Sequence, residues 1–426
     1  METTQIIARI REAIALYSSG NPQDALTILN ALLELHPELP WALNVAGNCA
    51  SALGEWENAE AYFCRALKIN PDYAEARNNS GIVLRDMRRF GAAEAAFRQA
   101  IDAKDGHYDM AGFNLGMLLL YMGRFAEGWP FFESRYHQPI HDWPQWRGES
   151  LAGKTLLIHH EQGFGDQIQF IRYLPLLKSM GASRITVICD HVLYPLLKSV
   201  EGADVILNPD EGAAAPVHDF WTRLLSLPLL TGTTLNTIPV SVPYLHAPPE
   251  KLDAWKNRLP TDGLRVGLIW KGRAAHVNDK QRSLPSLSVL APLWSVPGVH
   301  FISLQKFAGE DEAAHPPEEQ PLAHWGGDIA DFTDSAAIIS LLDLIICVDT
   351  AAAHLAGAMG KPCWVLLPRI ATDWRWMSER ADSPWYPTLR LFRQNKAGDW
   401  QTPIADITAA LRRVAAGEPD FSFQNA

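Results

Sequence analysis

Residues 341–367 read LLDLIICVDTAAAHLAGAMGKPCWVLL, and the fold of the larger part of the chain turns on how that text divides. Leu344 to Val348 is an unbroken apolar run rich in β-branched residues, the pattern of a strand covered on both faces. Asp349 and Thr350 stand where a helix cap belongs. Ala351 to Met359 is a helix of small residues, stopped by Gly360 and Pro362, and Cys363 to Leu367 is a second buried strand. A β-loop-α-β unit of this kind opens its helix at the carboxyl end of a parallel strand, where open α/β sheets bind ligands. Ala351 and Ala352 leave the first backbone N–H groups approachable, and the helix dipole favours an anion there. A phosphate loop is the sharp reading; an ordinary capped crossover helix has the same text.

Working upstream, the same layout recurs twice. Thr155 to His159 is a strand, followed by the loop Glu161-Gln162-Gly163-Phe164-Gly165-Asp166 and helical spacing from Gln167 to Leu177, which Pro175 must bend or shorten. Gly163 and Gly165 suit a phosphate or substrate loop. Asp166 is either a helix cap or a carboxylate base at the edge of the sheet. Leu264 to Trp270 is another buried strand, and the loop after it gathers Lys271, Arg273, Lys280 and Arg282 in an otherwise acidic chain. Cations at that edge favour an anionic ligand. Between these landmarks, Arg184–Cys189, Asp204–Leu207 and Val299–Leu304 read as strands and Phe220–Leu229 as a helix. Pro239–Leu245 reads as a strand or extended segment, Gly309–Gln320 as an exposed mobile loop, and Pro403–Val414 as the last helix.

The first 135 residues are of another kind. Ala25, Ala59 and Ala93 are spaced by 34, as are Leu29, Phe63 and Phe97, and Gly47 and Gly81 keep the step. A fixed period of this length marks stacked helix pairs. Gly116, Gly123 and Gly128-Trp129 mark a fourth, degenerate unit. Asn44, Asn48, Asn78, Asn79 and Asn114 fall in the first helices of successive units, where they either bond a peptide backbone or are merely solvated. Residues 136–151 form a linker whose Tyr136, Trp143 and Trp146 suit packing against neighbours.

Composition bounds the rest. The 426 residues exceed one core, and 47% hydrophobic with 20% charged residues is the balance of a globular protein. A net charge of −11 argues against a general nucleic-acid binder. No apolar run reaches spanning length, the start METTQIIARIREAI has no signal-peptide pattern, and five scattered cysteines suggest neither zinc nor disulfides. A cytoplasmic protein is expected.

The 34-residue spacing resembles tetratricopeptide repeats. GFGD at 163–166, the basic loop ending in Arg282-Ser283-Leu284-Pro285, and VDTAAAHLAGAMGKP at 348–362 together resemble the family 9, heptosyltransferase-like glycosyltransferases of the GT-B fold. The resemblance covers roughly residues 150–415, and repeats followed by such a fold also look like the architecture of O-GlcNAc transferase. It implies a helical solenoid followed by paired Rossmann-like α/β domains. The divisions are then 1–135 repeats, 136–151 linker, 152–262 acceptor-side domain, 263–416 nucleotide-sugar domain and 417–426 disordered tail. It implies Asp166 as base, and Asp349, Thr350 and His354 at the donor phosphates, with Ala351 where the family has glycine. Lys271, Lys280 and Arg282 complete the set. No D-x-D pair occurs for a metal, so no cofactor beyond the donor is expected. The expected activity is inverting transfer from a nucleotide-diphosphate sugar to a hydroxyl on a protein or peptide recruited by the repeats, with oligomerisation left open. The rivals are a non-catalytic repeat scaffold and a transferase acting on a glycan or lipid-linked sugar.

Overall fold

A computed structural model describes residues 3–135, 138–208, 210, 215–239 and 241–418. The chain divides into the units Met1–Gln138 and Pro139–Ala426. The first is built from α1 (Thr3–Ser18), α2 (Pro22–Leu35), α3 (Pro40–Ala52), α4 (Trp56–Ile69), α5 (Ala74–Asp86), α6 (Phe90–Asp102), α7 (Asp109–Tyr121) and α8 (Phe125–Phe132). Consecutive helices pack in pairs. Gly47 and Gly81 show why the step of 34 is kept. A Cβ on Gly47 would lie 2.5 Å from the ring of Phe63, and one on Gly81 2.6 Å from that of Phe97, so each pair closes only over glycine.

Four of the five asparagines bond one another. Asn114 Nδ2 donates to Asn78 Oδ1 (2.9 Å), Asn78 Nδ2 to Asn79 Oδ1 (3.2 Å), and Asn79 Nδ2 to Asn44 Oδ1 (3.0 Å). The solvated reading is corrected for Asn44 and Asn78, which are buried and take a partner from the neighbouring repeat, while Asn48, Asn79 and Asn114 stay partly exposed.

The second unit begins with β1 (Thr155–His159), α9 (Phe164–Phe170), α10 (Leu174–Ser179), β2 (Arg184–Ile188), α11 (Tyr194–Leu197), β3 (Val205–Leu207), β4 (Phe220–Arg223) and α12 (Leu227–Leu230). Its strands form a parallel sheet in the order β3-β2-β1-β4. There follow α13 (Pro249–Lys256), β5 (Leu264–Ile269), α14 (Asp279–Arg282), β6 (Val299–Ser303), α15 (Glu310–Ala314), β7 (Ala323–His324) and α16 (Phe332–Leu341). The chain closes with β8 (Leu344–Val348), α17 (Ala351–Ala358), β9 (Cys363–Leu367), β10 (Leu389–Arg393) and α18 (Gln401–Ala415). These strands make a second parallel sheet, β10-β9-β8-β5-β6-β7. Every residue of β8 and β9 is buried, as unbroken apolar strands in a covered parallel sheet must be.

Two expectations need correction, and a third holds but for its start. Phe220 to Leu229 is not one helix: Phe220–Arg223 is β4, with Trp221 opposite Leu157 of β1, and α-helix begins only at Leu227, after a 3-10 turn at Leu224–Ser226. Four residues are too few to display a period, so the aromatic and β-branched content of that run was the usable signal. The acidic stretch from Gly309 is not a free loop. It carries α15, and Glu312 is held by an ion pair with Lys271 and by the backbone N–H of Leu287. The helix after Gly163 opens at Phe164, passes through a 3-10 turn at Ile171–Tyr173, and restarts with Pro175 in the first turn of α10, where its missing N–H costs nothing.

Trp146 N donates to Trp221 O (2.8 Å), and Trp221 Nε1 to Trp143 O (2.9 Å), so this stretch lies along β4. Tyr136 and residues 419–426 lie outside the described residues. No helix among the described residues is long and apolar enough to cross a membrane.

Candidate functional site

The loops after β1 and β8 come together. α9 packs on α17, and Gly165 lies so close to His354 that a Cβ there would sit 2.6 Å from the imidazole. Glycine at 165 is thus a requirement of the approach as much as of any ligand.

Asp166 is the third residue of α9, and its Oδ2 accepts from Gly163 N (2.7 Å), closing the first turn. Its Oδ1 accepts from Arg375. Arg375 is 4% exposed. It also donates from Nε to Gln169 Oε1 (2.6 Å) and from Nη1 to both oxygens of Asp373 (2.9 and 3.0 Å), and its guanidinium lies 4.6 Å from the centroid of Trp374. One arginine therefore ties a carboxylate after β1 to one after β9. Burial raises the pKa of Asp166 and Arg375 opposes that rise. Burial pulls Arg375 the other way, but Asp166 and Asp373 more than offset it and hold the guanidinium charged.

Asp349 is the odd carboxylate. Arg282 donates from Nη1 to its backbone oxygen (3.1 Å). Burial, and then the neighbouring Asp373, push the Asp349 side chain up to about 6, with Arg282 pulling down. Asp166, Asp349 and Asp373 face two guanidiniums, Arg282 and Arg375, and Arg282 is shared with Asp279 (3.5 Å), so carboxylates outnumber cations here. A carboxyl whose pKa rises from 3.8 to about 6 on folding favours the native state below pH 3.8, and that contribution is lost as pH rises through about 6. Asp349→Asn is therefore expected to stabilise the protein at pH 7 by about 1–3 kcal/mol and to change little at pH 4, measured by thermal melting. Equal effects at both pH values would show that Asp349 is not the strained group.

His354 is buried, its Nδ1 3.0 Å from Tyr386 Oη and its ring stacked on Trp376 with centroids 5.2 Å apart. Burial, then Arg375 and Arg172, hold it well below its ordinary pKa, so it is a neutral imidazole. Arg172 braces the same region, donating to Trp385 O (2.7 Å) and Tyr244 Oη (3.2 Å). At the mouth of α17, Thr350 takes the cap position but its side chain caps nothing, and its Oγ1 is buried without a hydrogen-bond partner. Ala351 and Ala352 follow, partly exposed, with first-turn N–H groups that have no partner inside the helix. Of the expected cations, Arg282 reaches this loop, Lys271 is taken by Glu312, and Lys280 is exposed on α14.

The sequence reading missed Arg375, Asp373, Gln169 and Arg172. Asp373-Trp374-Arg375-Trp376 follows the carboxyl end of β9 as Asp349-Thr350 follows that of β8. Counting strand ends would have placed it at the same edge.

A tetratricopeptide-repeat family model matches residues 10–74 and 44–108. The N-terminal unit is an array of such repeats, and the unit that follows is α/β with parallel sheets. Protein FlbA of Caulobacter vibrioides (strain ATCC 19089 / CIP 103742 / CB 15) is 29% identical to this chain, across 95% of this chain and 72% of FlbA. Among solved structures, MamA protein is 22% identical with a TM-score of 0.28, covering 30% of this chain and 70% of that one. YrrB, a TPR protein with an unusual peptide-binding site, is 24% identical with a TM-score of 0.26, covering 30% of this chain and 64% of its own.

Proposed function

We propose that the α/β unit is a GT-B type glycosyltransferase, inverting and metal-independent, whose acceptor is a protein or peptide recruited by the repeats. The observation that carries the reading is the meeting of the Gly163–Asp166 loop with the Asp349–Thr350 loop at Gly165 and His354. In this reading Asp166 takes the proton from the acceptor hydroxyl as that oxygen attacks the anomeric carbon. The bond to the nucleoside diphosphate breaks on the opposite side, with inversion. The N–H groups of Ala351 and Ala352, the Thr350 hydroxyl and Arg282 receive the departing charge from positions already fixed. Each oxygen of Asp166 retains a lone pair beyond its present partner, which is where the acceptor hydroxyl would bond.

One observation favours the scaffold reading instead: Asp166 is already satisfied by Arg375 and Gly163. Melting the full chain with a panel of nucleoside diphosphates and nucleotide sugars separates the two. A ligand at 100 times its Kd should stabilise the native state by about 2.7 kcal/mol. Thr350→Ala and Arg282→Ala should each weaken the best ligand by about 1.5–3 kcal/mol, the worth of a charge-assisted contact. Equal shifts in all three proteins refute the phosphate loop. No shift with any ligand in the wild type supports the scaffold.

A further inference from the structure

We infer that Phe307 is the stacking platform for the base of the nucleotide donor, an assignment that rests on the glycosyltransferase reading above. Phe307 lies four residues past the end of β6, at the carboxyl edge of the six-stranded sheet. It is 82% exposed and its φ is +62°. A bulky side chain in left-handed backbone is strained, and an exposed ring gains nothing from the fold in return. Strain of this kind persists only where the surroundings impose it, and it gathers at ligand sites.

The surroundings do impose it. Gln305, 1% exposed, accepts at Oε1 from Trp270 N (2.9 Å) and Lys271 N (3.0 Å), and donates from Nε2 to Ala308 O (2.7 Å). Glu310 Oε2 accepts from Phe307 N (2.8 Å). The loop after β6 is thereby stitched to the loop after β5, and the ring is held out on a rigid turn. Lys306 Nζ lies 5.7 Å from the ring centroid and adds a cation at its rim.

Position selects the occupant. Strands β8, β5 and β6 are successive neighbours, so at a spacing of about 4.8 Å the end of β6 is roughly 10 Å from the Asp349–Thr350 loop. With the diphosphate on that loop, the ribose and its 5′-phosphoester span the gap and bring a flat heterocycle to Phe307. Stacking on an aromatic ring tolerates any base, because every base has a π-face.

The test is titration of the full chain with UDP, ADP, GDP, CDP and inorganic diphosphate, for wild type, Phe307→Ala, Phe307→Trp and Phe307→Gly. The alanine variant is expected to bind the tightest nucleoside diphosphate about tenfold more weakly, the tryptophan variant within a few-fold of wild type, and both to bind inorganic diphosphate as wild type does. Phe307→Gly is expected to lose affinity like alanine while melting above wild type, since glycine adopts φ +62° without strain. Wild-type affinity in Phe307→Ala overturns the assignment, as does an equal loss for inorganic diphosphate or a lowered melting point in the glycine variant. A wild type that binds inorganic diphosphate but no nucleotide also overturns it. Binding of neither removes the glycosyltransferase reading, and the assignment with it.

Discussion

Asp166→Asn is expected to turn over about 10²–10⁴-fold more slowly than wild type, the ordinary loss on removing a general base. Its melting should also change, and this departs from what a simple cap would do. At a cap, asparagine replaces aspartate at little cost. Asp166, however, accepts at both oxygens, from Gly163 N and from Arg375. The asparagine amide has one oxygen, so whichever way it turns, one of those donors meets an N–H₂ group. That loss is worth about 1–3 kcal/mol, a few degrees in Tm. Asp373→Asn is the control, because it disturbs Arg375 as much and leaves the base in place. A fall in turnover confined to Asp166→Asn identifies the base. Equal falls in both, or turnover within a few-fold of wild type in Asp166→Asn, assign Asp166 to bracing alone.

Arg375→Met is expected to destabilise the protein by about 3–5 kcal/mol at pH 7, roughly 10 °C in Tm, because it leaves the largely buried Asp166 and the part-buried Asp373 without their cation. The sign of the pH dependence distinguishes this from lost packing. Without Arg375 the pKa of Asp166 rises further above its unfolded value, since burial remains and the opposing guanidinium is gone. A carboxyl with a raised native pKa costs stability as pH rises through that value, so the deficit should be largest at neutral pH and should shrink towards pH 4. A deficit that is flat between pH 4 and 7 would mean that the side chain matters only for its contacts with Trp374 and Phe170.

How much of this was legible depended on reach along the chain. The unit from Leu344 to Leu367 is local: strand, cap, small-residue helix and strand follow one another, and each announces itself in its own letters. Gly47 and Gly81 are legible for the same reason, since a step of 34 repeats one local contact with Phe63 and Phe97. The pairing of Asp166 with Arg375 spans 209 residues and that of Lys271 with Glu312 spans 41, and no pattern in either neighbourhood points to the other. Asp349 could be read as a cap-region acid, but its strain comes from Asp373 and from burial, which exist only once β8 and β9 lie side by side. Phe220 to Arg223 failed for brevity. Phe307 carried no signal at all, because its backbone angle is imposed by Gln305 and Glu310.

The chain of asparagines in the repeats has a consequence for how that unit comes apart. Stacked repeats ordinarily fray from an end, each costing only its own interface. Here α7 supplies the donor for Asn78 of α5, and Asn79 of the same helix supplies the donor for Asn44 of α3. Peeling α7 away removes that donor and lets water take its place on Asn78, a net loss of about 0.5–1.5 kcal/mol on top of the apolar interface. Loss of α5 passes the same penalty to Asn44. The α3–α5 and α5–α7 boundaries are thus each dearer than a bare apolar interface, and α3 to α7 are expected to melt more nearly together than independent links would.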